Sequence, residues 1–227
     1  MKQGKRLRKA IEKVEHEKLY EYSEAVGLAI SLASAKFDET VDIAARLNIQ
    51  QKHSIRGSIS LPHPVDSGNK KVLVFAQGEK AKEATEAGAT YVGAEDMIEK
   101  IRGGWLDFDV AIAVPEMMKE VGKLGPILGK RGLMPNPKVG TVTMDVKSAV
   151  KEFMQGKVEF RAEKNGIVHL KIGRISQGKE KVMENGIFLF RELMRRKPSD
   201  IKGEYVKSVY LSTTMGPGIK IDNLTIK

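Results

Sequence analysis

Apolar and polar residues change rhythm three times along this chain. Over residues 5–34 the spacing is helical, with Leu7, Ile11 and Val14 on one face and Val26, Ile30 and Ala33 on a second. Helix is predicted across the whole stretch, with Phe37 just beyond its end. From Val41 the pattern becomes strict alternation. Val41, Ile43, Ala45, Leu47 and Ile49 interleave with Asp42, Arg46 and Asn48, the period of a strand with one buried face. Residues 57–61 read as a second strand, closed by Pro62 and Pro64.

Between residues 72 and 156 the apolar runs are near-continuous: Val72, Leu73, Val74, Phe75 and Ala76, then Val110, Ala111, Ile112, Ala113 and Val114. They alternate with helical stretches at 79–87 and 145–154. Strands apolar on both faces and separated by helices predict a parallel sheet covered on each side. After Val158 the half-buried alternation returns, with Val168, Leu170 and Ile172 inward and His169 and Lys171 outward. A helix over 180–195 and strands over 206–213 and 219–226 complete the pattern.

Strands of one type flank a middle of another type. The economical fold is therefore an α+β split domain, an antiparallel sheet with helices, built from residues 1–67 and 159–227. It carries an inserted α/β domain over 68–158, three-layered and Rossmann-like. The chain crosses between them at 62–69 and again near Gln155, Gly156 and Lys157, a pair of linkers that predicts a hinge.

A length of 227 residues suits two such domains. With 39 Lys and Arg against 29 Asp and Glu, the formal charge of +10 makes a polyanion the natural partner. Residues 68–158 hold 14 basic and 12 acidic side chains, so +8 falls on the split domain, the expected polyanion binder. No membrane partner is expected, because the apolar runs are far too short to span a bilayer. The basic start, Lys2, Lys5, Arg6, Arg8 and Lys9, leads into Glu12, Lys13 and Glu15 instead of an apolar signal core, which predicts a cytoplasmic protein. Cysteine is absent, which removes disulfides, thiolate nucleophiles and cysteine-ligated zinc.

Four segments carry candidate chemistry. Gly129, Lys130, Arg131, Gly132, Leu133, Met134, Pro135, Asn136, Pro137 and Lys138 crowd cations, glycines and prolines where neither helix nor strand is expected to run through. Such a stiffened loop presents Lys130, Arg131 and Lys138 to a phosphate-rich surface, or is an ordinary solvated linker. Lys36, Phe37, Asp38, Glu39 and Thr40 place a ring beside a cation at a helix-to-strand junction. That ring either stacks on an unpaired base or caps the core. Thr213, Thr214, Met215, Gly216 and Pro217 offer hydroxyls, a compliant thioether and bare backbone, suited to reading the 2′-hydroxyls of RNA, or else they form a plain hairpin. Lys164, Asn165 and Gly166 read as a hairpin turn.

Enzyme chemistry is poorly supported. Gly125, Gly129 and Lys130 imitate a P-loop, but three residues separate the glycines instead of four and Arg131 occupies the Ser/Thr position. The turn Ala76, Gln77, Gly78, Glu79, Lys80 lacks a dinucleotide fingerprint. His16, His53, His63 and His169 have no metal-ligand spacing, and Met117, Met118, Val121 and Leu124 read as core. No cofactor or metal is expected. The alternative kept open is a nucleotide-binding enzyme using the α/β insert.

The run from Gly125 through Lys138, followed by Val139, Gly140 and Thr141, resembles the signature segment of the L-one family of large-subunit ribosomal proteins. Arg56 and Gly57 with Leu61, Pro62 and His63, then Ala87, Gly88 and Ala89, then Asp107 to Val110, resemble further landmarks of that family in order, as do the 36–41 and 213–217 segments. The resemblance implies a non-enzymatic protein of the mobile ribosomal stalk, monomeric off the ribosome. It would bind large-subunit rRNA, assist release of deacylated tRNA from the exit site, and repress its own mRNA through a mimic of the rRNA site. It implies that Lys36, Phe37, Glu39, Thr40, Thr213, Thr214, Met215, Gly216 and Pro217 form the principal rRNA contact. Lys164, Asn165, Gly166 and His169 would border it, and Lys130, Arg131 and Lys138 would make secondary RNA contacts. One departure is the run Pro64, Val65, Asp66, Ser67, Gly68 where the family commonly continues with a glycine-rich turn, which predicts a stiffer first linker.

Overall fold

Alternating burial along the chain sets the first layer of the architecture. The computed structural model describes residues 4–15, 17–50, 55–65 and 70–226; Lys2, His16, His53 and the 66–69 part of the first crossing lie outside the described residues. In chain order the elements are α1 (Lys5–Ile11), α2 (Tyr22–Leu32), β1 (Thr40–Leu47), β2 (Arg56–Ile59), β3 (Val72–Phe75), α3 (Glu79–Glu86), β4 (Tyr91–Gly93) and α4 (Glu95–Arg102). There follow β5 (Val110–Ala113), α5 (Met118–Val121), α6 (Gly125–Arg131), α7 (Val146–Met154), β6 (Val158–Arg161), β7 (Ile167–Arg174), α8 (Lys179–Arg195), β8 (Val206–Thr213) and β9 (Ile219–Ile221). They divide into two compact units, residues 1–65 with 160–227, and residues 66–159.

In the first unit β7, β1, β8 and β9 form an antiparallel sheet in that order, and β2 pairs with β6 in a separate two-stranded sheet. Val41, Ile43, Ala45 and Leu47 of β1 are buried, as are Val168, Leu170 and Ile172 of β7 and Val209 and Leu211 of β8. These side chains share one face of the sheet, and α2 and α8 pack on that side. Gly186 of α8 makes room for the Tyr22 ring, whose hydroxyl donates to the Val182 carbonyl at 3.2 Å.

The second unit is built on a parallel sheet in the order β4, β3, β5. All four residues of β3 are buried, because each face meets its own core. Leu73 and Phe75 join Ile98, Ile101, Val121, Leu124 and Leu128 on one side. Val72 and Val74 join Ala84, Val146, Val150 and Phe153 on the other. Asp145 caps α7 by accepting from the Ser148 amide at 3.1 Å.

Three expectations fail. Residues 5–34 are two helices, because the backbone of Tyr20 pairs with the last strand: its amide donates to the Lys220 carbonyl at 3.0 Å, and its carbonyl accepts from the Asp222 amide at 2.9 Å. The last strand stops at Ile221 instead of running to 226, because the Asp222 carboxylate accepts from the Leu224 amide and turns the chain into a short 3₁₀ turn. Helix does run into the 129–138 segment: α6 contains Gly129, Lys130 and Arg131. Pro126 sits in its first turn, where a missing N–H costs nothing, and Gly132 at φ 73° closes its end.

Candidate nucleic-acid interface

β1 lies between β7 and β8, both antiparallel to it, so the start of β1 and the ends of its two neighbours meet at one edge of the sheet. Thr40 is opposite Arg174, and Val41 opposite Thr213. The loop entering β1 therefore runs beside the loop leaving β8. The Thr214 amide donates to the Thr40 carbonyl and the Thr40 amide to the Thr214 hydroxyl, each at 3.0 Å. The two threonine hydroxyls are 2.9 Å apart.

A buried carboxylate fixes this pairing from beneath. Glu39 is 1% exposed; one oxygen accepts from the Ala35 amide and the other from the Met215 amide, both at 3.0 Å. Burial pushes its carboxyl up, but the donating Met215 and Ala35 amides outweigh that and hold it below the ordinary value. Glu39 is thus buried beneath this edge of the sheet, and Thr213 and Pro217 are buried too, with Gly216 half-buried. Lys36, Phe37, Thr214 and Met215 stand in solvent, Phe37 at 55% and Met215 at 48%. A ring more than half exposed does not cap the core. Its exposure has a cause in the chain path, since Glu39 ties the loop down on either side of it.

Two further residues at this edge carry no local sequence signal. The Asp38 carboxylate accepts from the Ser176 hydroxyl at 2.7 Å and the Ser176 amide at 3.0 Å, and Arg174 stands 4.0 Å from it. The Ser176 hydroxyl, with its amide and Arg174, holds the Asp38 carboxyl below its ordinary value. Arg174 also donates to the Val65 carbonyl at 3.3 Å. Only the register of β7 against Thr40 brings these residues here, and register is set by distant pairing.

Lys164, Asn165 and Gly166 lie at the other end of the same sheet. The Leu47 amide donates to the Gly166 carbonyl at 2.8 Å, and seven residues of β1 separate that end from Thr40, roughly 23 Å at strand rise. Gly166 is buried with φ 76°, and a Cβ there would come 2.7 Å from the Leu47 carbonyl oxygen, so it serves the turn. Lys164 and Asn165 are exposed.

The face of the sheet opposite α2 and α8 connects the two ends. One cross-strand row places Asp42 between Lys171 and Ser212; the next places Ala44 between His169 and Tyr210. His169 and Lys171 are exposed, and Tyr210 is 43% exposed. Partial burial raises the Asp42 carboxyl above its ordinary value, against the Thr40 hydroxyl and the charges of Lys171 and His169. Besides Arg174 and Ser176, sequence reasoning missed Tyr210; alternation along β8 between Val209 and Leu211 is the signal that finds it.

The cations of the second unit are set differently. Lys130 and Arg131 occupy the last turn of α6, where positive charge complements the helix dipole. Leu133 and Met134 then pack on the core and Pro135 is buried. The Asn136 amide donates to the Thr141 hydroxyl at 2.7 Å, and the Asn136 side chain accepts from the Lys138 amide at 2.8 Å. Residues 66–159 carry 14 basic and 14 acidic side chains, so the whole formal +10 resides in the other unit. Among the described residues no group of three or more His, Asp or Glu converges as a metal site, and no helix is long and apolar enough to cross a membrane.

Comparison with known proteins agrees with the resemblance in the sequence. The family model described as "Ribosomal protein L1p/L10e family" matches residues 29–217. Large ribosomal subunit protein uL1 of Treponema denticola is 50% identical over 222 residues, 98% of each chain. The proteins of the same name from Borrelia hermsii and Leptospira biflexa are 48% and 50% identical, over 97% and 98% of this chain and 98% and 96% of their own. Likeness of this extent, covering both units and every segment of the candidate interface, places the chain in the ribosomal protein L1p/L10e family.

Proposed function

We propose that this chain binds structured rRNA of the large ribosomal subunit through the outer face of its four-stranded sheet and the loops at the Thr40 edge. The observation that carries this reading is the exposed Phe37 ring beside the paired hydroxyls of Thr40 and Thr214, locked in place by buried Glu39. Phosphates near Lys36, Lys164 and Lys171 supply salt-dependent affinity through counterion release, while the ring, the hydroxyls and the Met215 thioether read shape and 2′-hydroxyls. Glu39, Thr213, Gly166 and Pro217 act from inside, as the residues that hold the contact surface in shape. His169 and Tyr210 extend the surface along the sheet toward Lys164 and Asn165.

In this reading the 66–159 unit makes secondary RNA contacts through Lys130, Arg131 and Lys138, and meets the departing deacylated tRNA at the exit site. An mRNA fold that copies the rRNA site competes for the same surface, so the free protein, a monomer, represses its own translation. The names of the relatives, all large ribosomal subunit proteins, support the ribosomal setting. The test is equilibrium binding of the full chain to a stalk rRNA fragment, to random hairpins and to nucleotides. Preference for the fragment is expected. Saturable nucleotide binding with no preference among the RNAs would overturn the reading.

A further inference from the structure

The geometry points to a second RNA-backbone site in the first unit, a basic groove between α1 and the end of α2 that extends the proposed interface away from the sheet. The inference rests on the rRNA-binding reading above. The groove holds about 270 Å³ and is lined by Arg6, Lys9 and Lys13 on one wall and by residues 31–34, including Ser31 and Ser34, on the other. Arg6, Lys9 and Lys13 recur at i, i+3 and i+7, so they share one face of α1 and its final turn, spaced to follow a row of phosphates. All three are exposed, and none has an ion-pair partner among the described residues. Among the described residues no carboxylate lines the groove.

Continuity with the interface identifies the occupant. Ser34 lies two residues before Lys36 and three before Phe37, and the Ala35 amide between them is the one that Glu39 fixes. A nucleotide stacked on Phe37 thus has its sugar-phosphate backbone leading to the groove mouth, where exposed cations and the Ser31 and Ser34 side chains meet it. The ligand is a ribose-phosphate backbone bound by charge and hydroxyls without base readout. A purely structural account gives the three cations to the carbonyl end of α2, whose own last turn carries no basic residue. The two accounts predict different measurements. Cations that serve α2 move stability; cations that serve RNA move the salt dependence of binding.

The experiment compares the full-length chain with its R6Q/K9Q/K13Q variant on a stalk rRNA fragment, recording log affinity against log salt, with thermal melting alongside. Each neutralised phosphate contributes about 0.9 to the slope on duplex RNA or DNA, so the variant is expected to be shallower by about 2 to 3 with its melting temperature unchanged. A K9Q/K13Q variant, retaining Arg6, is expected to give about two-thirds of that change. A control variant, K82Q/K119Q/K147Q, removes the same charge from exposed positions of the other unit and is expected to leave the slope alone. An unchanged slope in the first variant overturns the proposal, and so does an equal flattening in the control. If the wild-type chain shows no preference for the fragment over random hairpins, the rRNA reading itself has failed, a result distinct from a preference that survives with an unaltered slope.

Discussion

The 36–40 and 130–138 segments both set cations where a helix gives way to a loop, yet their neighbours give those cations different surroundings. At the sheet edge, Lys36 and Phe37 project from a loop whose anchor, Glu39, is buried and whose partner loop is 174 residues away in sequence. In the parallel-sheet unit, Lys130 and Arg131 finish a helix, and the loop behind them packs Leu133, Met134 and Pro135 inward. One segment is organised to display a ring and hydroxyls. The other is organised to stop a helix and turn the chain, with its charges already complementing a dipole. Charge alone does not separate a loop that displays its side chains from one that packs them inward; the destination of the neighbouring side chains does.

The largest test removes the anchor. Glu39→Ala leaves the Ala35 and Met215 amides without their charged acceptor, and it is expected to destabilise the fold by about 2 to 4 kcal/mol. Chemical denaturation measures this directly. Glu39→Gln keeps the shape but removes the charge and turns one of the two acceptors into an NH2 donor facing a backbone N–H. Because the folded carboxyl titrates below its ordinary value of 4.5, its stabilisation is full above that value and is lost as pH falls through the folded one. Wild type should therefore lose more stability than the Gln variant over that acidic window. Equal pH profiles would mean that the Glu39 charge adds nothing to the pairing of the two loops, which would then rest on packing and on the Thr40–Thr214 hydrogen bonds.

Next in size is the ring. Phe37→Ala is expected to weaken binding to a stalk rRNA fragment by about 1 to 3 kcal/mol, the range for loss of a stacked base, while melting stays unchanged. Normal binding with an earlier melt would make Phe37 a packing residue after all. Thr214→Val follows at about 1 kcal/mol. Its hydroxyl accepts from the Thr40 amide and shares a hydrogen bond with the Thr40 hydroxyl, so stability and binding are both expected to fall. Parallel denaturation and binding measurements divide the loss between them.

Much of this architecture is legible in single-residue rhythm. Alternation at Val41, Ile43, Ala45 and Leu47 states which face of β1 is buried, and the unbroken run from Val72 to Phe75 states that β3 is covered twice. What fails to show locally is whatever depends on distant backbone. Tyr20 breaks the first helix only because Ile221, two hundred residues on, is there to pair with it. The burial of Glu39 needs the amide of Met215, and its carboxylate reads in sequence as one more polar group in a polar loop. The 129–138 segment misleads for a different reason. Glycine and proline are read there as breakers by composition, whereas their positions, Pro126 at the start and Gly132 just past the end, are those that frame a helix.

The smallest expected effect bears most directly on the contrast between the two segments. If the 66–159 unit adds little to the primary RNA contact, K130Q/R131Q should change affinity for the isolated stalk fragment by less than about 0.5 kcal/mol. The same substitutions should cost the fold itself up to about 1 kcal/mol, since each cation sits where the α6 dipole favours positive charge. Stability and fragment affinity therefore respond in the opposite order to Phe37→Ala, which moves binding and spares the melt. Affinity for deacylated tRNA provides the second axis. A loss there with fragment binding intact would assign Lys130 and Arg131 to the secondary partner, and a large loss on the fragment would mean that both units grip the same RNA.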